Sequence, residues 1–124
     1  MKKQLLIVDD NEEFRRLVKI FLSKEYDVES FENGMQALAF LQKGILPDLI
    51  VSDLNMPELD GKTLLDQLKS SEVFKHIPVI ILSSIDKSSE RVELIKSGAS
   101  DYLSKPFNPE ELNVRIENQL RKTV

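Results

Sequence analysis

The sequence predicts an α/β fold in which one parallel sheet carries helices on both faces. Short apolar runs alternate with longer amphipathic stretches along the chain, which gives about five consecutive β-α pairs. Two of the runs, residues 49–51 and 79–82, are apolar at every position, as expected of central parallel strands that are covered on both faces. A length of 124 residues fits one domain. We therefore expect a single doubly wound α/β domain over residues 1–124.

The first half of the sequence contains two predicted β-α pairs. Residues 5–8 are apolar and predict the first strand, and the stretch 11–24 predicts an amphipathic helix. The apolar side chains of this helix are expected on one face: Phe14, Leu17, Val18, Phe21 and Leu22. Residues 28–31 predict the second strand. The apolar spacing within residues 37–41 then indicates a second helix, which Gly44 can end.

The second half contains three further pairs, two of which begin with the apolar runs already described. Leucines within residues 64–68 predict the helix between the third and fourth strands. A weaker helical stretch, 88–97, precedes Gly98, and residues 101–104 predict a short fifth strand. The last helix has a strong start signal at its cap, at its first position and three residues after the cap: Asn108, Pro109 and Glu111.

Composition excludes several classes of function. The chain has 17 basic and 21 acidic residues and a formal net charge of −4, which argues against a non-specific grip on nucleic acid or on an anionic membrane. The absence of cysteine excludes a disulfide scaffold, thiolate metal ligands and a cysteine nucleophile. No apolar run is long enough to span a bilayer or to serve as a signal peptide. We therefore expect a cytoplasmic domain that binds neither nucleic acid nor membrane directly.

Polar side chains follow four of the five predicted strands. Asp9 and Asp10 come after the first strand, Asp53 after the third, Ser83 after the fourth and Lys105 after the fifth. Ligands of open parallel sheets bind beyond the carboxyl ends of the strands, so these groups are expected at one edge. Three converging carboxylates repel one another unless a cation lies between them, and hard oxygen ligands suit Mg²⁺. The sequence therefore predicts a magnesium site.

Each of these residues alone also has an ordinary structural explanation. Asp10 or Asn11 could cap the first helix, and Asp53 could be a turn residue. Together the groups suit attack on a phosphoryl group: a carboxylate is the nucleophile, metal and ammonium offset the phosphate charge, and a hydroxyl donates a hydrogen bond to a phosphoryl oxygen.

The motifs that carry these residues resemble the receiver domains of two-component response regulators, and the resemblance covers the whole chain. The four segments are LLIVDDN, LIVSDLNMPELDG, VIILSS and DYLSKPF. The resemblance implies a flavodoxin-like fold with a five-stranded parallel sheet of order 2-1-3-4-5. It also implies a signalling switch in a phosphorelay rather than an enzyme with turnover on an external substrate.

The resemblance also implies roles for the acidic residues. Asp53 matches the phosphoacceptor, and Asp10 matches a direct Mg²⁺ ligand. Asp9 is expected to act on the metal mainly through water. The backbone carbonyl of Asn55 would complete the protein's share of the metal coordination.

Residues of the fourth and fifth strands match the response machinery of the family. Lys105 is expected to pair with the phosphoryl oxygens and to precede a cis bond to Pro106. Ser83 matches the switch hydroxyl and Tyr102 the switch aromatic, whose ring is expected to move inward from an exposed position when the phosphoryl group attracts Ser83. Ile85 is expected to flank the phosphoryl group and to limit the access of water.

The implied phosphodonor is a histidine kinase or a histidine phosphotransfer protein, and other functions remain to be weighed. An aspartyl-nucleophile phosphatase needs an acid two residues after the nucleophile, where this chain has Asn55. A flavodoxin-like cofactor binder needs a phosphate cradle in the first loop, where residues 9–13 carry four carboxylates. A receiver that binds partners independently of phosphorylation remains an open alternative.

The predicted surface of the fourth helix, fifth strand and fifth helix suggests a phosphorylation-linked homodimer. Its charges are of mixed sign, so a two-fold axis could set the surface against its own copy. The pairs expected between copies are Arg91 with Glu111, Lys96 with Glu117, and Asp101 with Arg115.

Overall fold

Five parallel strands form the central sheet of the computed structural model, which describes residues 1–84 and 87–122. The strands are β1 (Gln4–Val8), β2 (Asp27–Phe31), β3 (Leu49–Asp53), β4 (Val79–Ser83) and β5 (Asp101–Ser104). Their spatial order is β2-β1-β3-β4-β5, and each neighbouring pair is parallel. The predicted fold class and strand order are confirmed.

A helix follows each strand in the described part of the chain. The helices are α1 (Glu12–Leu22), α2 (Gly34–Leu41), α3 (Gly61–Lys69), α4 (Ser88–Lys96) and α5 (Pro109–Lys122). The side chains of Asn11, Asn33 and Asp60 cap α1, α2 and α3 by accepting a hydrogen bond from a backbone N–H in the first turn. Among the described residues, each helix is too short or too polar to cross a bilayer.

Two apolar clusters pack on opposite faces of the sheet. Helices α2, α3 and α4 bury side chains in one cluster, and α1 and α5 bury side chains in the other. Every residue of β3 and β4 is buried, as predicted for central strands. The prediction was wrong for Leu17, whose side chain is 60% exposed. Helix α1 contacts the core through a narrower stripe that is centred on Val18 and Leu22.

The register of the sheet aligns the carboxyl ends of its central strands. Val8 of β1 lies opposite Ser52 of β3, and Asp53 lies opposite Leu82 of β4. The residues that follow β1 and those that end β3 and β4 therefore emerge at one edge, which places the predicted site residues near one another.

Candidate functional site

Asp9 and Asp10 follow β1 at this edge in different environments. Asp9 is fully buried, and its Oδ1 accepts a hydrogen bond from the Asn11 N–H at 2.9 Å. Its Oδ2 accepts one from the Lys105 ammonium at 2.9 Å. Asp10 is exposed, so its carboxylate is open to solvent. Asn11 is the cap of α1, and the capping explanation considered for Asp10 therefore applies to its neighbour.

Asp53 is the last residue of β3 and is only 8% exposed. The Lys105 Nζ lies 3.3 Å from its Oδ1, so one ammonium bridges the carboxylates of Asp9 and Asp53. The backbone of Lys105 is tied to the neighbouring strand, because its N–H donates to the Ser83 carbonyl at 2.7 Å. The Lys105–Pro106 peptide bond is cis, as predicted.

The site holds more negative charge than Lys105 neutralises. Burial first, and then the charges of Asp9 and Asp10, raise the pKa of Asp53 to about 6, even though Lys105 lowers it. Burial lowers the pKa of Lys105, but hydrogen bonds and charges from Asp9 and Asp53 outweigh that effect and leave this pKa above its ordinary value. Lys105 therefore stays protonated near neutral pH, and one positive charge faces three carboxyl groups.

The carboxyl groups are close enough to share a cation. Asp9, Asp10 and Asp53 each offer one oxygen, and these oxygens lie within 4.8 Å of one another. Such an all-oxygen set fits a hard divalent cation, which would offset both the burial of Asp53 and its repulsion by Asp9, the two largest causes of its raised pKa. Asn55, the fourth predicted metal-binding residue, is exposed two residues after Asp53.

The loop after β3 is held close to Asp53 by a glycine. The Gly61 N–H donates to the Leu54 carbonyl at 2.9 Å, and a Cβ on Gly61 would lie only 2.4 Å from the Asp53 carbonyl oxygen. Only glycine allows α3 to begin this near the strand. The sequence pattern did not indicate this role of Gly61, although its position directly after Asp60, the cap of α3, was a usable signal.

The two predicted switch residues are both buried. Ser83 is fully buried at the end of β4. The Tyr102 ring is 5% exposed and its hydroxyl donates to Glu90 Oε1 at 3.3 Å, while the Arg91 guanidinium lies 5.7 Å from the ring centre. The predicted exposed starting position of Tyr102 is therefore wrong for this structure, because core packing and Glu90 hold the ring inside. Ile85 lies outside the described residues.

Sequence reasoning also missed a contact between α1 and the site. The Lys105 Nζ lies 4.5 Å from the centre of the Phe14 ring. The apolar spacing of α1 predicts only that Phe14 lies on the apolar face of the helix. Its place in the first turn of the helix, directly after the acidic residues, was the available signal.

One of the ion pairs predicted between copies is formed within the chain. Arg115 Nη1 lies 2.8 Å from Asp101 Oδ1, and Nη2 lies 3.4 Å from Glu111 Oε2. Helix α5 thus brings Arg115 beside Asp101 of its own chain, and the pairing of Asp101 with Arg115 of a second copy stays a prediction. The partner predicted for Arg91, Glu111, is also engaged by Arg115.

Known proteins share both the sequence and the fold. The family model described as the response regulator receiver domain matches residues 5–117. Regulatory protein VanRc of Enterococcus gallinarum is 36% identical over 98% of this chain and 52% of its own length. Hybrid signal transduction histidine kinase D of Dictyostelium discoideum is 38% identical over 94% of this chain and 8% of its own length. The chain thus spans about half or less of these curated relatives.

A solved structure agrees with these matches. The receiver domain of the Francisella response regulator 1452 superposes with a TM-score of 0.90 at 35% identity, and the match covers 98% of this chain and 99% of that one. Three observations point to the same family: the fold, the carboxylates at the strand ends, and the family match over most of the sequence. The chain therefore belongs to the response regulator receiver domain family of two-component systems.

Proposed function

We propose that this domain is a phosphorylation-activated switch that accepts a phosphoryl group from a phosphohistidine onto Asp53, with Mg²⁺ as cofactor. The observation that carries the proposal is the Lys105 ammonium, which lies 2.9 Å from Asp9 and 3.3 Å from Asp53 beside a cluster of three carboxylates. A fixed cation next to a carboxylate at a strand end suits the charge that develops in phosphoryl transfer.

The transfer is a displacement at phosphorus. An Asp53 carboxylate oxygen attacks and forms the new O–P bond, while the P–N bond to the donor imidazole breaks and its electron pair leaves with the ring nitrogen. Lys105 offsets charge on the phosphoryl oxygens. Asp9, Asp10, Asp53 and the Asn55 carbonyl would hold Mg²⁺, which, when bound, neutralises the carboxylates and the incoming phosphoryl oxygens.

The proposed response involves Ser83 and Tyr102. A phosphoryl group on Asp53 offers the Ser83 hydroxyl a charged acceptor, which makes a stronger hydrogen bond than a neutral one. The buried Tyr102, held by Glu90 of α4, defines one state of the surface formed by α4, β5 and α5. We propose that phosphorylation shifts the population of this state.

The proposal also covers the phosphodonor and the boundaries of the receiver domain. The names of the relatives include a hybrid histidine kinase, which supports a histidine kinase or a histidine phosphotransfer protein as the donor. We propose that residues 1–124 form one receiver domain without turnover on an external substrate. Cytoplasmic location and the lack of direct nucleic-acid binding stay predictions.

Intact-mass spectrometry with acetyl phosphate and Mg²⁺ tests the proposal. We expect the wild type to gain one phosphoryl group, Asp53→Asn to gain none, and Asp10→Asn to need more Mg²⁺. Asp60→Asn is a matched control, because Asp60 lies in the same loop and asparagine retains its cap on α3. Labelling of Asp53→Asn would contradict the acceptor assignment, and an unlabelled wild type would favour the phosphorylation-independent adaptor.

A further inference from the structure

The Phe14 ring contacts the cation of the candidate site. The ammonium of Lys105 lies 4.5 Å from the ring centre, within the range of a cation–π interaction. The face of an aromatic ring carries partial negative charge, so it attracts an ammonium without accepting its proton. The Lys105 side chain is 23% exposed, so solvent screens this attraction only in part.

The Phe14 ring is itself held in place from two directions. The Phe107 ring meets it edge-on, at a centroid distance of 5.8 Å and an interplanar angle of 89°. The Phe14 N–H donates to the Asn11 side chain at 2.9 Å, and Asn11 in turn donates to Asp9. The ring is therefore anchored both to the segment that carries Lys105 and to the loop that carries Asp9.

Lys105 needs such support because its side chain is long and flexible. Its ammonium is a point charge on a flexible four-carbon stem, and its two carboxylate partners lie 2.9 and 3.3 Å away. Phe14 and Phe107 line an open groove of about 460 Å³ with Ser84, Lys105 and Pro106. Without the ring, the ammonium could turn away from Asp53 into this groove.

We propose that Phe14 is a positioning residue whose ring face holds the Lys105 ammonium between Asp9 and Asp53 and thereby speeds phosphoryl transfer onto Asp53. This inference rests on the proposed function. With acetyl phosphate, the Asp53 oxygen forms the O–P bond while the P–O bond to acetate breaks and acetate leaves with the electron pair. A small donor keeps partner docking out of the measurement.

The kinetic test compares Phe14→Leu with Phe14→Tyr at saturating Mg²⁺. Leucine removes the π face and keeps an apolar side chain, whereas tyrosine keeps the face. We expect Phe14→Leu to lower the maximal phosphorylation rate about three- to tenfold, with little change in the acetyl phosphate concentration at half-maximal rate, and Phe14→Tyr to stay within about twofold of the wild type. Phe21→Leu is the matched control: Phe21 is also a partly buried ring of α1 and has Lys24 above it at 5.7 Å.

A spectroscopic measurement separates this inference from the proposed function. In the unphosphorylated protein, the ring current of Phe14 shifts the NMR signals of the Lys105 side chain, and we expect that shift to persist in Phe14→Tyr and to vanish in Phe14→Leu. Failure of the wild type to be labelled on Asp53 would overturn the proposed function and with it the catalytic consequence. Labelled protein with equal rates for Phe14→Leu and wild type, or equally slow leucine and tyrosine variants, would overturn the inference alone.

Discussion

At the scale of single residues, the Asp53 carboxyl group is expected to destabilise the fold that carries it. Its pKa is raised from 3.8 to about 6, so the folded protein binds this proton more tightly than the unfolded chain. The loss of stability caused by ionised Asp53 is complete above the pKa of Asp53 in the folded state. It disappears below the pKa of Asp53 in the unfolded chain. Without metal, we expect Asp53→Asn to raise the free energy of unfolding by about 1 to 3 kcal/mol at pH 7.5, and by less at pH 5.

Urea denaturation with a chelator at both pH values measures this effect. Asp60→Asn serves again as the control, since its cap is conserved and no gain is expected. A gain for Asp53→Asn that is equal at pH 5 and pH 7.5 would show that ionisation of Asp53 is not its cause.

Gly61 leads to a second prediction at this scale. Alanine is a better helix former than glycine by about 1 kcal/mol, but its Cβ would meet the Asp53 carbonyl oxygen at 2.4 Å and the Leu54 Cα at 2.9 Å. Backbone atoms cannot move aside cheaply, and overpacking of this kind costs about 1 to 3 kcal/mol. We expect Gly61→Ala to lower the thermal midpoint and to slow phosphorylation of Asp53.

Thermal unfolding of Gly61→Ala beside Gln67→Ala, an exposed position of the same helix, provides the comparison. A Gly61→Ala protein that is as stable and as rapidly phosphorylated as the wild type would contradict the close approach.

The polar groups of the site could be predicted from sequence because each follows a strand, and parallel strands end at one edge. Asp9, Asp10, Asp53 and Lys105 needed only that rule. The contacts of Phe14 with Lys105 and of Tyr102 with Glu90 could not be predicted. They join residues of different elements and depend on side-chain directions that a linear pattern does not specify.

At the scale of secondary-structure elements, Glu90 of α4 connects that helix to Tyr102 of β5. Removing the carboxylate takes away one acceptor of the buried hydroxyl, a loss of about 1 kcal/mol. We expect Glu90→Ala to raise the exposure of the Tyr102 ring. Acrylamide quenching of tyrosine fluorescence in a Tyr26→Phe background measures it, since the chain has two tyrosines and no tryptophan.

Glu93→Ala is the control for this experiment, because Glu93 is an exposed acid on the same helix. If both variants quench like the wild type, Glu90 does not hold the ring, and the burial of Tyr102 depends on its other contacts, among them core packing and the Arg91 guanidinium.

The elements themselves were predicted within a few residues from apolar spacing and cap residues. The bounds of β5, Asp101–Ser104, agree in full, and α5 begins at the predicted Pro109. The error at Leu17 has a physical cause: a helix that packs on a sheet buries a narrow stripe, and Leu17 lies one position outside the stripe through Val18 and Leu22.

At the scale of the whole molecule, the charged surface of α4, β5 and α5 still allows a homodimer, though with fewer pairs than the sequence suggested. Arg115 is engaged by Asp101 and Glu111 within the chain, and Glu117 accepts a hydrogen bond from Asn113, which weakens the predicted pairs between copies. Exposed pairs contribute under about 1 kcal/mol each. We therefore expect a weak, salt-sensitive dimer that forms only when the site is occupied.

Analytical ultracentrifugation measures the mass of the protein in solution and so distinguishes monomer from dimer. The measurement is made with and without beryllofluoride, which mimics the phosphoryl group, at low and at high salt. We expect a rise only with beryllofluoride at low salt, and expect Lys96→Glu to abolish it. A monomer in all four conditions at about 100 µM would contradict the dimer prediction. A different protein would then be the expected binding partner of this surface.

Strand β5 connects the candidate site to the surface formed by α4, β5 and α5, so a protein bound at that surface is expected to affect binding at the site. Tyr102 lies in β5 and Lys105 directly follows that strand, so the ammonium proposed to meet the phosphoryl group and the ring beneath the proposed docking surface belong to one short segment of chain. Linkage between two binding sites is reciprocal. A partner that prefers the occupied form must tighten beryllofluoride binding by the factor by which beryllofluoride tightens the partner, so the domain's apparent sensitivity to its signal depends on how much partner is present.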